Sequence, residues 1–223
     1  MSRGEFDAAA ALYREAQAWP ALTGLALHTG AALIADGRTN TLAQWIDALP
    51  AETQQREPRL SLYLGVALLY SDPKRAKQLL DRAYEGFIAS GDMRRVLMTA
   101  AHAVDCHYFE WADFTPLDRW IAVLEQHLTP DAPLDAPYDA MRVWSAFLIA
   151  LLFRKPSHPR IADVARRHDG RDLRVVDLEQ HRAQAVLARD GLGFVHRATR
   201  GVEAGLDLLV EREVHAPPHP VER

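Results

Sequence analysis

Cysteine is almost missing from this sequence: Cys106 stands alone. A single thiol excludes any disulfide within the chain and points to a reducing compartment. Lysine is nearly as scarce, with only Lys74, Lys77 and Lys155, so arginine carries the positive charge, as GC-rich coding favours. There is no basic excess. The net charge is −4 and the pI about 6.2, which leaves no field to hold a nucleic-acid backbone. Long apolar runs are lacking too. The longest, VWSAFLIALLF from Val143 to Phe153, falls short of the roughly 20 residues a membrane span needs, and reads as a helix buried in protein. The opening MSRGEFDAAA has no apolar signal-peptide core. A cytoplasmic protein that contacts neither membrane nor nucleic acid directly is expected.

What is present is a helical rhythm. In TLAQWIDALP, Leu42, Trp45, Ile46 and Leu49 fall on one face of an α-helix, and Pro50 stops it. Leu117, Trp120, Ile121 and Leu124 repeat the pattern, and Leu80, Ala83, Tyr84 and Phe87 lie midway. Upstream come Phe6, Ala9, Ala10 and Tyr13. The four copies start at residues 6, 42, 80 and 117, in steps of 36, 38 and 37. A period of this size belongs to stacked helical hairpins of the tetratricopeptide (TPR) kind.

A partner helix is expected between successive copies: 20–35 before Asp36-Gly37, 59–70 after Pro58, and 92–108 after Gly91. Ser71-Asp72-Pro73 and Thr115-Pro116 each place a capping side chain ahead of a proline in the first helical turn. A fifth hairpin is expected from 138–154 and from Ile161 onward, after the loop TPDAPLDAP. No stretch before residue 160 alternates at period two for long, which excludes a sheet there. The expected fold is all-α: an array of stacked antiparallel helical hairpins, a TPR-like solenoid, over residues 1–165.

Residues 166–223 change character. All five tryptophans lie at or before Trp144, and Phe194 is the only aromatic residue after Phe153. Val175 and Leu178 share a helical face with Glu179 and Arg182, and Gly201 and Gly205 interrupt the short apolar pattern of Val202, Leu206, Leu209 and Val210. This segment is expected to be a weakly packed or disordered extension, or the product of a reading-frame change near residue 166.

The stretch from Leu33 to Leu69 carries Gly37-Arg38, Thr41-Leu42, Trp45-Ile46, Leu49-Pro50, Pro58-Arg59-Leu60 and Ala67-Leu68-Leu69 in that order. Together with RAKQLLDRAYEGFIASGD and YFEWADFTPLDRWI, it resembles the helical-repeat region of large ATP-dependent regulators of the MalT/LuxR type, over about residues 4–165. The resemblance implies a sensor region that receives a partner protein or an inducer and controls an ATPase switch. The chain departs from the full pattern: it has no G-x-x-x-x-G-K-S/T phosphate loop and no helix-turn-helix after residue 160. It begins inside what reads as a repeat, as a fragment of a larger regulator would.

For chemistry, the densest cluster is HAVDCHYFEWAD, with His102, Asp105, Cys106, His107, Glu110 and Asp113. His102, Cys106 and Glu110 share a helical face, which is the one arrangement from which a metal site or a cysteine nucleophile could be built. No H-E-x-x-H, C-x-x-C or G-x-S-x-G spacing supports either, and Gly191-Leu192-Gly193 follows no strand. His158, His168, His181, His196, His215 and His219 read as solvated side chains. No catalytic, metal or cofactor-binding residue is therefore assigned. A stacked array does offer a concave groove, and Gln44, Asp47, Asp118 and Arg119 are candidates for its exposed lining. The expectation is a non-catalytic interaction or sensor module that binds a partner protein or small inducer and carries no cofactor. Alternatives are a free-standing helical adaptor and a small metal- or cysteine-dependent hydrolase. Unpaired apolar ends of such an array also favour self-association.

Overall fold

A computed structural model describes residues 3–168 apart from 130 and 135, and the side chains of 5–164. All of them lie within the first of the chain's two units, Met1–Asp177. Ten helices and no strand occur among the described residues: α1 (Arg3–Glu15), α2 (Trp19–Ala35), α3 (Thr39–Asp47), α4 (Ala51–Arg56), α5 (Pro58–Leu68), α6 (Pro73–Ser90), α7 (Met93–Glu110), α8 (Leu117–His127), α9 (Pro137–Arg154) and α10 (Ile161–His168). The expected change after residue 165 lies outside the described residues, except that α10 carries the chain as helix to His168.

Local chemistry accounts for most of the boundaries. The Asp72 carboxylate accepts from the Arg75 N–H at 3.0 Å to open α6, and Asp92 does the same for Arg95 at 3.1 Å to open α7. Gly91 closes α6 with φ of +72°, a left-handed cap that suits a residue without Cβ. Thr115-Pro116 departs from expectation. Pro116 itself takes the cap position of α8 without a side-chain bond. Asp113 instead holds the preceding turn by accepting from the Thr115 N–H at 2.9 Å, because a carboxylate two residues back reaches this donor readily.

Helix α4 is an addition that the apolar pattern does not announce, since none of its residues is buried. Its support is local. The Gln54 amide donates to the Leu49 carbonyl at 2.8 Å, and Arg56 pairs with Glu52 one turn away at 2.5 Å.

The repeated apolar positions face inward as the period requires. Leu42, Trp45, Ile46 and Leu49 are buried, and so are Leu117, Trp120, Ile121 and Leu124. Packing follows the chain: α1 on α2, α2 on α3 and α5, α3 on α5, α5 on α6, α6 on α7, α7 on α8 and α9, α8 on α9, and α9 on α10. Two apolar clusters result, and Tyr63 and Leu68 of α5 pack against both. The core thus runs continuously through the described helices. Close approach needs small residues at the crossings. A Cβ on Gly30 of α2 would lie 2.5 Å from the Tyr63 ring.

Trp111 closes α7 with φ of +50°, a conformation that a bulky residue seldom adopts. Its ring is held edge-on by Tyr108, Phe114 and Phe153, at centroid distances of 5.6, 5.3 and 5.2 Å. Such aromatic pairs contribute about 0.5–1.5 kcal/mol each beyond burial, enough to offset the backbone strain.

Candidate functional site

The four copies of the repeat supply α1, α3, α6 and α8, and ion pairs join these helices in turn. Arg38, at the start of α3, donates to both oxygens of Asp7 at 2.7 and 2.8 Å. Arg75 of α6 pairs with Asp47 of α3, and Arg119 of α8 donates to Asp81 of α6 at 2.7 Å. Arg154, at the end of α9, donates to Asp118 of α8 at 3.1 Å. That bond holds the Asp118 carboxyl below its ordinary range. All four pairs are partly exposed, so each adds little stability. Their geometric effect is to line the side formed by α1, α3, α6 and α8 with paired charges.

Two cavities open on this side. The first, about 250 Å³, lies among α1, α2 and α3 and is lined by Asp7, Arg14, Arg38, Thr41, Gln44 and Trp45, among others. The second, about 190 Å³, lies among α6, α7 and α8 and is lined by Lys77, Asp81, His107, Pro116, Arg119 and Trp120, with Ala103. Set in repeat register, the linings correspond. Asp7 and Asp81 hold the second position of the lower copy. Thr41 and Pro116 precede the upper copy, Gln44 and Arg119 hold its third position, and Trp45 and Trp120 its fourth. In the second cavity the Arg119 guanidinium lies 4.7 Å from the Trp120 ring centroid and 5.4 Å from that of Tyr84. Burial, reinforced by Lys77, pushes the pKa of His107 down, so its imidazole is neutral at pH 7.

The candidates read from sequence are therefore divided. Gln44 lines the first cavity and Arg119 the second, while Asp47 and Asp118 are engaged in the ion pairs between helices. Asp7, Arg14, Arg38, Lys77 and Asp81 also belong to this side but were not among the groove candidates, and His107, which lines the second cavity, was read only as part of the HAVDCHYFEWAD cluster. One signal for them is visible in hindsight: aspartate occupies the second repeat position in the first, third and last copies, as Asp7, Asp81 and Asp118, with Ala43 in the copy that starts at Leu42.

The HAVDCHYFEWAD cluster is dispersed into separate contacts. Glu110 pairs with Lys77 at 2.6 Å, and the Cys106 thiol faces the Pro73 carbonyl at 3.5 Å. His102 and Asp105 both turn to Arg142 of α9. No group of three His, Cys, Asp or Glu side chains is gathered to hold a metal among the described residues. Burial pushes the Cys106 thiol up to about 11, the opposite of what an activated nucleophile needs. Cys106 is fully buried, so its reaction with an aromatic disulfide reagent at pH 8 is expected to be at least a hundredfold slower than in denaturant. Immediate stoichiometric labelling of the native protein would contradict the packing.

His158 corrects the expectation of a solvated side chain. Its Nε2 lies 2.8 Å from Glu125, and its Nδ1 accepts from the Arg160 N–H at 3.3 Å, because the turn before α10 folds back on α8. The side chains of His168, His181, His196, His215 and His219, and the Gly191–Gly193 segment, lie outside the described residues. No helix among the described residues is long and apolar enough to cross a membrane. No family model, curated protein or solved structure matches the chain.

Proposed function

We propose that this chain is a TPR-like helical-repeat module of a cytoplasmic signalling regulator, which binds a partner protein or small inducer and catalyses no reaction. The observation that carries the reading is the repeat-matched pair of cavities on the side formed by α1, α3, α6 and α8. A solenoid presents equivalent positions of successive repeats on one surface, and that surface is where such proteins bind. The resemblance of residues 4–165 to the MalT/LuxR type adds the regulatory context.

Two measurements test it. For binding, a thermal-shift screen of peptides and small metabolites is run on the wild type and on Gln44→Ala and Arg119→Ala. A ligand at a hundred times its Kd adds about 2.7 kcal/mol to stability, a shift of several degrees. The expected result is a ligand whose shift is lost in one or both variants. A ligand whose shift is unchanged in both places its site elsewhere. For context, the DNA upstream of Met1 is read in frame. A phosphate-loop ATPase there supports a regulator, whereas an in-frame stop codon leaves a free-standing helical adaptor.

A further inference from the structure

The α7–α9 junction holds a partly buried polar cluster, centred on the buried His102, that the proposed binding side does not use. Nη2 of Arg142 lies 3.2 Å from Nδ1 of His102 and 3.1 Å from Oδ2 of Asp105. A guanidinium only donates and stays charged at every accessible pH. The Nδ1 that faces it must therefore be bare, so the ring is neutral and carries its proton on Nε2. There is no place for a second proton. An N–H at Nδ1 would point at a cation across a partly buried contact.

We propose that the His102–Arg142 contact is an acid-sensitive latch, whose protonation detaches α9 from α7 while the front of the array stays folded. Asp105 gives the opening a path. Its Oδ2 lies 4.0 Å from Nδ1 of His102, so a protonated ring turns toward Asp105 and displaces Arg142 from it. Arg142 then loses its contacts with His102 and Asp105 in one step. A second ion pair, Arg94 with the buried Asp139, ties the first turn of α9 to α7 independently of His102. Opening should therefore be local, because each layer of a helical array depends chiefly on its neighbours.

The other groups around the contact leave the sign unchanged. From the turn after α5, Tyr70 lies within the field of Asp105 and Arg142, and burial pushes its phenol up to about 12, so it stays neutral in acid. Among the charged groups of α6 and α8, Lys77 pairs with Glu110, Asp81 with Arg119, and Asp118 with Arg154. Burial first, and Arg142 second, hold the His102 pKa well below its ordinary 6.5. The folded state thus binds fewer protons than the opened state. The contact is at full strength above about pH 6.5 and weakens as pH falls, by up to tenfold in the opening equilibrium per pH unit.

Hydrogen exchange on the full chain at pH 7.5 and 5.5, corrected for intrinsic rates, tests this latch independently of any ligand. The opening equilibrium of α9 should rise several-fold toward tenfold at the lower pH, while that of α2 stays within twofold. In His102→Gln the side-chain carbonyl can accept from Arg142 without titrating, and the rise in α9 should vanish. His107→Gln should retain the wild-type response. No rise in the wild type, an equal rise in His102→Gln, or its loss in His107→Gln would each overturn the proposal. Should His102→Gln not fold, imidazole nitrogen shifts of the wild type decide. A bare Nδ1 at pH 6 supports the latch, and a charged ring at that pH refutes it.

Discussion

Phe147→Ala is expected to remove about 3–5 kcal/mol of stability. Phe147 lies in the middle of α9 and is the largest fully buried side chain among the described residues. It packs into the apolar cluster that spans α5 to α10, and the Arg160 guanidinium sits 5.2 Å from its ring centroid. Truncation to a methyl removes the apolar transfer term and leaves a cavity that rigid neighbours cannot fill, at about 24 cal/mol per Å³ of residual void. Domains of this size are stable by only about 5–15 kcal/mol in total. The loss should appear in urea denaturation as a separate early transition of α9 and α10, because α10 packs on α9 and the described helices pack chiefly on those near them in the chain. A midpoint displaced by less than the equivalent of 1 kcal/mol would mean that α9 is not packed as described.

Gly86→Ala is expected to be destabilising by about 1–3 kcal/mol, against the direction that helix propensity dictates. Glycine inside a helix is about 1 kcal/mol worse than alanine, so from α6 alone the substitution should help. The crossing with α5 reverses the sign. A Cβ at Gly86 would run into the Pro58 ring, lying 2.8 Å from its Cβ and nearer still to its Cγ. Pro58 opens α5, and a pyrrolidine ring has no rotamer by which to move aside. The helices would have to part. Gly24 of α2 is the control: a Cβ there meets nothing within 4 Å. Gly24→Ala should therefore raise stability by about 0.5–1 kcal/mol, or a few degrees in Tm for a chain of this length. If both variants melt higher than the wild type, the α5–α6 contact is looser than described.

The inward stripes could be read directly because they obey a local rule. Leu42, Trp45, Ile46 and Leu49 recur one helical turn apart, and a helix with one apolar face must bury it. The caps at Asp72, Asp92 and Gly91 are local for the same reason, since donor and acceptor lie within a few residues of each other. Helix α4 was missed because it has no buried face to produce a periodic signal. The candidate binding side was legible only in part. Gln44 and Arg119 were identified as exposed positions on the repeated helices, but not as members of two separate cavities.

By itself, then, the sequence determined the helices with an apolar face, those inward faces and the repeated spacing, because these depend on spacings within a single turn or hairpin. Tertiary structure alone decided which polar groups meet. Arg38 finds Asp7 across 31 residues, Arg119 finds Asp81 across 38, and Arg142 finds His102 across 40. Periodicity sets the face on which a side chain lies, whereas the partner it meets depends on how closely two helices approach. That approach is set by the volumes at the crossings, such as Gly30 against Tyr63 and Gly86 against Pro58.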